Sequence, residues 1–267
     1  MEEDLTRLGL IDEEFIILDE AALMLALPDN PEADLDPYHE LLAEVAERLA
    51  SVAPHAATAH DRADALSLVL AGEFGFVGDR ESYDDPANAD MIRVIDRRRG
   101  LPVSLSILYV SAARRMGWSA HILDVPGHVL VLVGTPADAV MIDPFSGGVL
   151  VLPDQLVALV SNASRPQAPR EVEIAAMPNR AVLTRLLLNQ ASRAEDAGKN
   201  VRALELYERI TAFAPDAGHA WWQRARLELV GRDVAGAKRS LAAMLEVTRD
   251  SALRATIIET LESLVAH

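Results

Sequence analysis

The hydrophobic period changes at Gly117, and that change limits what the chain can fold into. Upstream, the stretch from Leu101 to Met116 carries Leu105, Leu108, Tyr109, Ala112 and Met116 at helical spacing. Its Pro102 suits a first helical turn, where no backbone donor is lost. Downstream come SAHILDV, HVLVLVG and AVMIDPF, short β-rich runs separated by Pro126-Gly127 and by TPAD. Such runs with turn residues between them predict an antiparallel meander. A buried helix is the alternative for any one run, opposed by the β-branched residues and the Pro/Gly breaks.

The segments before Leu101 read as helices over 14–27, 37–53 (Leu41, Leu42, Val45, Leu49, Val52), 59–72 (Leu66, Val69, Leu70) and 88–99, with Gly100 as the last one's stop. After Asn179 the pattern is helical to the end and repeats itself. Leu187 and Trp221, Ala191 and Ala225, Ala203 and Ala237, and Tyr207 and Leu241 each lie 34 residues apart. The small members let antiparallel helices approach closely, and the large ones fill the space between hairpins. Pro215 closes the first unit, and a helix over 252–265 would cap the second. The fold class is therefore α+β: a helical N-terminal region and a helix packed on an antiparallel sheet, then all-α hairpins of tetratricopeptide type. The expected domains are 1–155, a Pro-containing linker over 156–180, and 181–267.

Composition narrows the chemistry. Zero cysteines exclude disulfides, thiolate metal sites and a thiol nucleophile. Residues 1–90 carry 4 Lys/Arg against 23 Asp/Glu, while 91–267 carry 21 against 18. An acidic first third repels phosphate backbones, so nucleic acid is not an expected partner; that face serves solubility or docks a basic partner. The acidic start lacks a secretory signal pattern and no apolar run is long enough to span a bilayer. A cytoplasmic protein without membrane association is expected. His55 and His60 lack further ligands at zinc spacing, and Gly147-Gly148 lacks a phosphate-loop context; neither a metal nor a cofactor is expected.

A helix preceding a strand meander can converge several side chains. The N-terminus of the 101–116 helix offers N–H groups to an anion, and His128 and Asp143 on neighbouring strands can meet at hydrogen-bond distance. Each has a plainer reading: Ser104 as a helix-start hydroxyl accepting a free N–H, His128 as a turn residue, Asp143 as a turn former bonding the backbone after it. Arg97, Arg98 and Arg99 read as a solvated helix end or a ligand clamp. Trp221 and Trp222 are adjacent and so point to different sides of their helix, one to the repeat core and one as a candidate anchor for a partner.

GEFGFVGDRESYDDPANADMIRVIDRRRGLPVSLSILYVSAARRMG, followed by VPGHVLVLV and MIDPFSGG, resembles the SirB-type branch of the transglutaminase-like superfamily. The resemblance covers roughly residues 15–155, and the helical repeats extend it to the C-terminus. It implies a transglutaminase-like core, with a Cys at a helix start, a His on a strand and an Asp on the next strand as a triad. Carried over, His128 matches the histidine and Asp143 the aspartate, and the nucleophile position falls at about 102–104, where Ser104 is the residue able to attack. The superfamily's thiol cannot exist here. The expected function is that of a non-catalytic interaction or regulatory module for a protein or peptide partner. The alternative is a weak serine-based hydrolase or acyl transferase using Ser104, His128 and Asp143.

Overall fold

The computed structural model describes residues 2–163 and 175–265, so residues 164–174 of the expected linker lie outside the described residues. The chain divides into two compact units, one of residues 17–182 and one of residues 1–16 with 183–267. Among the described residues no helix is long and apolar enough to cross a membrane.

The helical unit opens with α1 (Glu2–Leu10), a helix the sequence reading did not anticipate. The remainder comprises α8 (Asn179–Asp196, which begins just before the unit), α9 (Asn200–Phe213), α10 (Gly218–Val230), α11 (Val234–Val247) and α12 (Ser251–Val265). Side-chain bonds join successive helices: Tyr207 donates to Glu195, Arg224 to Thr211, and Ser240 to Glu228. Ala191, Ala203, Ala225 and Ala237 are all buried. The first sixteen residues, expected with the N-terminal domain, pack here instead. α1 lies on α9, with Leu5 and Leu8 buried and Gly9 close to the backbone of Ala212 and Phe213.

The other unit is the mixed α+β part. Its helices are α2 (Leu18–Ala26), α3 (Asp36–Val52), α4 (Ala59–Leu66), α5 (Met91–Arg97), α6 (Pro102–Arg115) and α7 (Pro153–Ala163). α4 starts on a capping box in which Thr58 and Asp61 satisfy each other's backbone N–H. It runs into a π-helical turn, Ser67–Glu73, rather than the single helix the periodicity predicts. α5 ends on Arg98 in the left-handed region (φ 57°), not on Gly100. Gly100 serves a close approach instead, since a Cβ there would sit 2.7 Å from Ser104 Oγ.

β3 (Ala120–Val125), β4 (His128–Thr135), β5 (Asp138–Asp143) and β6 (Val149–Leu150) form an antiparallel sheet in that order. The meander predicted after Gly117 is therefore present, and the two-residue β6 is added to it. Pro126-Gly127 joins β3 to β4 with Gly127 at φ 74°, and Val125 pairs with His128. A second, two-residue parallel pair links β1 (Val77–Gly78) to β2 (Arg99–Gly100).

Both faces of the sheet are covered. α6 packs on β3 and β4, while Leu123, Val125 and Leu130 gather Leu132, Met141, Leu156 and Leu159 on the side of α7. This explains why HVLVLV reads as a continuous apolar run instead of an alternating one. α6 itself is buried on every side from Pro102 to Ala113, not on a single face, because α2, α3, α4 and the sheet surround it.

Candidate functional site

β4 and β5 hold their ladder as far as Val131 opposite Ile142. His128 lies three residues before Val131 and Asp143 one residue after Ile142, so both emerge at the same end of the sheet. There His128 Nε2 stands 3.0 Å from Asp143 Oδ2, with the two side chains 17% and 16% exposed. A ring that spends its Nε2 proton on the carboxylate keeps the lone pair of Nδ1 free when neutral.

Asp143 divides its oxygens between two tasks. Oδ1 accepts from the N–H groups of Phe145 (3.0 Å) and Ser146 (3.4 Å), closing the 3-10 turn Pro144–Ser146. Oδ2 takes His128 and, at 2.9 Å, the hydroxyl of Ser146. The turn-forming reading of this aspartate and the histidine-pairing reading are thus both realised. Burial pushes the carboxyl up, but His128 and the Ser146 donors outweigh it and hold Asp143 below the usual carboxylate range.

Ser104 is placed elsewhere. It is fully buried in the first turns of α6, 2.7 Å from the carbonyl oxygen of Asn88 and 3.0 Å from that of Leu101. Leu101 occupies the N-cap position, and the serine hydroxyl donates to carbonyls instead of accepting a free N–H. Asn88 O also accepts the N–H of Leu101, so this serine ties the start of α6 to the turn Pro86–Ala89. No hydrogen bond joins Ser104 to His128 among the described residues.

The residues around the pair were not singled out from the sequence. Arg80 Nη2 donates to Ser146 Oγ at 3.0 Å, extending the line that ends at His128. Ser67, from the π-helical turn, donates to Gly147 O at 2.7 Å. Gly147 and Gly148 both have positive φ (80° and 79°), and a Cβ on Gly148 would come within 3.0 Å of Ser67 and Tyr109. That double glycine lets the chain pass tightly over Tyr109. The Tyr109 hydroxyl is buried without a hydrogen-bond partner among the described residues. Burial, and then the charge of Asp143, push its ionisation upward, so it stays a neutral phenol. The signal for Ser146 was its place in MIDPFSGG, two residues past Asp143-Pro144. Arg80 offered no periodic or motif signal.

The arginine run is split among three tasks. Arg97 bonds Asp79 (2.9 Å) and Asn88 (3.2 Å), Arg98 covers the Phe76 ring at 4.6 Å, and Arg99 donates to backbone carbonyls. In the helical unit, Trp221 and Trp222 both pack in part against the Ala225, Ala237 and Leu241 cluster. Trp221 also donates to Pro215 O at 2.8 Å and carries Arg224 over its ring.

Residues 36–188, which contain α6, the sheet, Ser104, His128 and Asp143, match the Transglutaminase-like superfamily. The chain is 27% identical over 244 residues to a UPF0162 protein of Xylella fastidiosa, covering 90% of this chain and 87% of that one. It is 30% identical over 202 residues to a UPF0162 protein of Pseudomonas aeruginosa, covering 73% and 72%. A shorter stretch of 82 residues is 34% identical to F-box only protein 21 of Homo sapiens, covering 31% of this chain and 13% of that protein.

Proposed function

Because this chain belongs to the transglutaminase-like superfamily, alongside the UPF0162 proteins, we propose that it is a non-catalytic member that binds a protein or peptide. The observation that carries the reading is the state of Ser104. The sequence holds no thiol, and the one hydroxyl in the nucleophile window is solvent-inaccessible and committed to two backbone carbonyls. An acyl-transfer nucleophile must reach both substrate and base, within roughly 3 Å of each. Freeing this one would break the bond that anchors α6. The His128–Asp143 pair then acts as a fixed polar edge of the unit and not as a proton relay.

The proposal includes membership of the SirB-type branch and two tetratricopeptide-like units in the helical part. Support for the latter is the spacing of α9 and α11, whose first residues, Asn200 and Val234, are 34 positions apart and whose lengths are equal at 14 residues. Such hairpins offer a second surface for a peptide or helix.

The assembled 3.0 Å pair favours the competing reading, a weak serine hydrolase. A fluorophosphonate probe decides between them. The expected result is no covalent adduct on the native chain by intact-mass measurement. An adduct on Ser104 that vanishes in Ser104→Ala and in His128→Ala would overturn the non-catalytic reading.

A further inference from the structure

A cleft of about 510 Å³ opens between β1, the loop after it, the end of α5, β2 and the turn that follows β5. Its charged lining residues are Asp79, Arg80, Glu81, Arg97 and Arg99. Two of them neutralise each other. Asp79 accepts from Ser82 N–H at 2.8 Å, Glu81 N–H at 3.1 Å and Arg97 at 2.9 Å, and Arg97 also stands 3.8 Å from Asp85.

Arg80 and Arg99 are different. Arg80 lies 5.3 Å above the Phe145 ring and donates to the Ser146 hydroxyl. Arg99 donates to the carbonyls of Gly75 and Arg98, both at the long end of hydrogen-bond range. Neither has a carboxylate partner among the described residues. In a chain with 41 Asp/Glu against 25 Lys/Arg, acidic partners are abundant, yet these two exposed guanidiniums share a cleft and have none.

The geometry points to this cleft as a recognition site for a single carboxylate, carried by the C-terminus or an acidic side chain of a bound peptide. This deepens the binding reading above and rests on it. A guanidinium matches a carboxylate in a forked geometry, and the Phe145 ring lies under the Arg80 guanidinium at cation–π distance. The charge balance selects a monoanion. Arg97 is committed to Asp79 with Asp85 beside it, which leaves Arg80 and Arg99 against Glu81, a small positive excess that one carboxylate neutralises and a phosphate dianion exceeds. The volume falls within the usual range for ligand pockets, roughly 300–1,000 Å³.

Occupancy is transmitted along named bonds. Arg80 donates to Ser146, Ser146 donates to Asp143 Oδ2, and the same oxygen holds His128. A ligand that draws Arg80 away from Ser146 Oγ weakens the polarisation of the hydroxyl that donates to that carboxylate, and His128 reports it.

The experiment is an NMR titration of the full chain labelled with ¹⁵N-arginine and ¹⁵N-histidine. The probes are acetyl-tetraglycine with a free C-terminus, the same peptide as its amide, an amidated acetyl-Gly-Glu-Gly, and inorganic phosphate. Saturable shifts of the Arg80 and Arg99 Nε signals are expected with a carboxylate-bearing peptide, accompanied by a His128 ring shift, and none with amidated tetraglycine. Whichever of the two carboxylate peptides binds more tightly identifies the source. Arg80→Gln and Arg99→Gln should each weaken binding about tenfold or more. Arg99→Gln removes bonds to carbonyls only, so it stands as the test if Arg80→Gln changes the far-UV CD. Equal response to the amide, tighter binding of phosphate, or no saturable shift would overturn the inference. A null titration without fluorophosphonate labelling removes the carboxylate site alone, whereas labelling at Ser104 removes the non-catalytic reading itself.

Discussion

Asp143 satisfies the N–H groups of Phe145 and Ser146, the Ser146 hydroxyl and the His128 ring with a single side chain. Replacing it by Asn keeps the shape but turns part of that acceptor into a donor. Asp143→Asn should cost about 1–3 kcal/mol at pH 7 in urea unfolding, the range for a buried charged hydrogen-bond acceptor. The pH dependence follows from the depressed ionisation of the folded carboxyl. The unfolded value is about 3.9, so the stabilisation is complete above it and disappears as pH falls through the lower folded value. The gap between wild type and Asp143→Asn should therefore close on acidification below about pH 4, and a gap that widens there would contradict the geometry. Gly100 and Ser104 give a second test. Gly100→Ala drives a methyl to 2.7 Å from Ser104 Oγ and 3.1 Å from Val94. The single change should cost on the order of 1–3 kcal/mol, and less in a Ser104→Ala background, a coupling that a double-mutant cycle measures directly. His128 and Asp143 were legible from the sequence because each sits at a strand end beside a turn. Ser146 was signalled only by its place three residues after Asp143, and Arg80 and Tyr109 were not legible, because their contacts here reach across the fold.

Among the elements, α6 is the one that packs on β3, on β4 and on the turn after β5. Its N-terminus is fixed by one backbone bond and one side-chain bond, Leu101 N–H and Ser104 Oγ both donating to Asn88 O, while the N-cap Leu101 supplies no side-chain cap. α4 has the reverse arrangement, with a full capping box and Asp138 Oδ2 accepting from Ala59 N–H at 2.8 Å. Thr58→Ala should accordingly cost about 1 kcal/mol of thermal or urea stability, with the sheet signals unchanged in NMR spectra. In the helical unit, Ala237 of α11 is fully buried beside Leu241 and Met244. Ala237→Leu should destabilise by about 1–3 kcal/mol through overpacking, read as a lower urea midpoint. Periodicity predicted α3, α6 and the strands β3 to β5 closely, since each is long enough to display its period. It missed β1, β2 and β6, which are two residues each and have no period to display. It also missed the π-helical turn after Leu66, where the added residue in the turn is a backbone event that keeps the same apolar residues.

At the scale of the whole molecule, the first sixteen residues belong with the C-terminal helices although more than 160 residues separate them in sequence. Removing residues 1–12 would strip the apolar face of Leu5 and Leu8 from α9. Each buried leucine contributes about 1.5–3 kcal/mol, so hydrogen exchange of α9 should quicken while that of β3 to β5 stays as in the full chain. Equal loss of protection in the sheet would contradict the division into units. The sequence alone determined the α+β class, the meander, the helical C-terminal part and the impossibility of thiol chemistry, because these follow from local periodicity and from residue type. Tertiary structure alone decided that α1 joins the far end of the chain, that Ser104 faces carbonyls, and that Arg80 and Arg99 share one cleft. Those outcomes depend on which surfaces meet once apolar area is buried, and contacts between residues far apart in sequence leave no period along the chain.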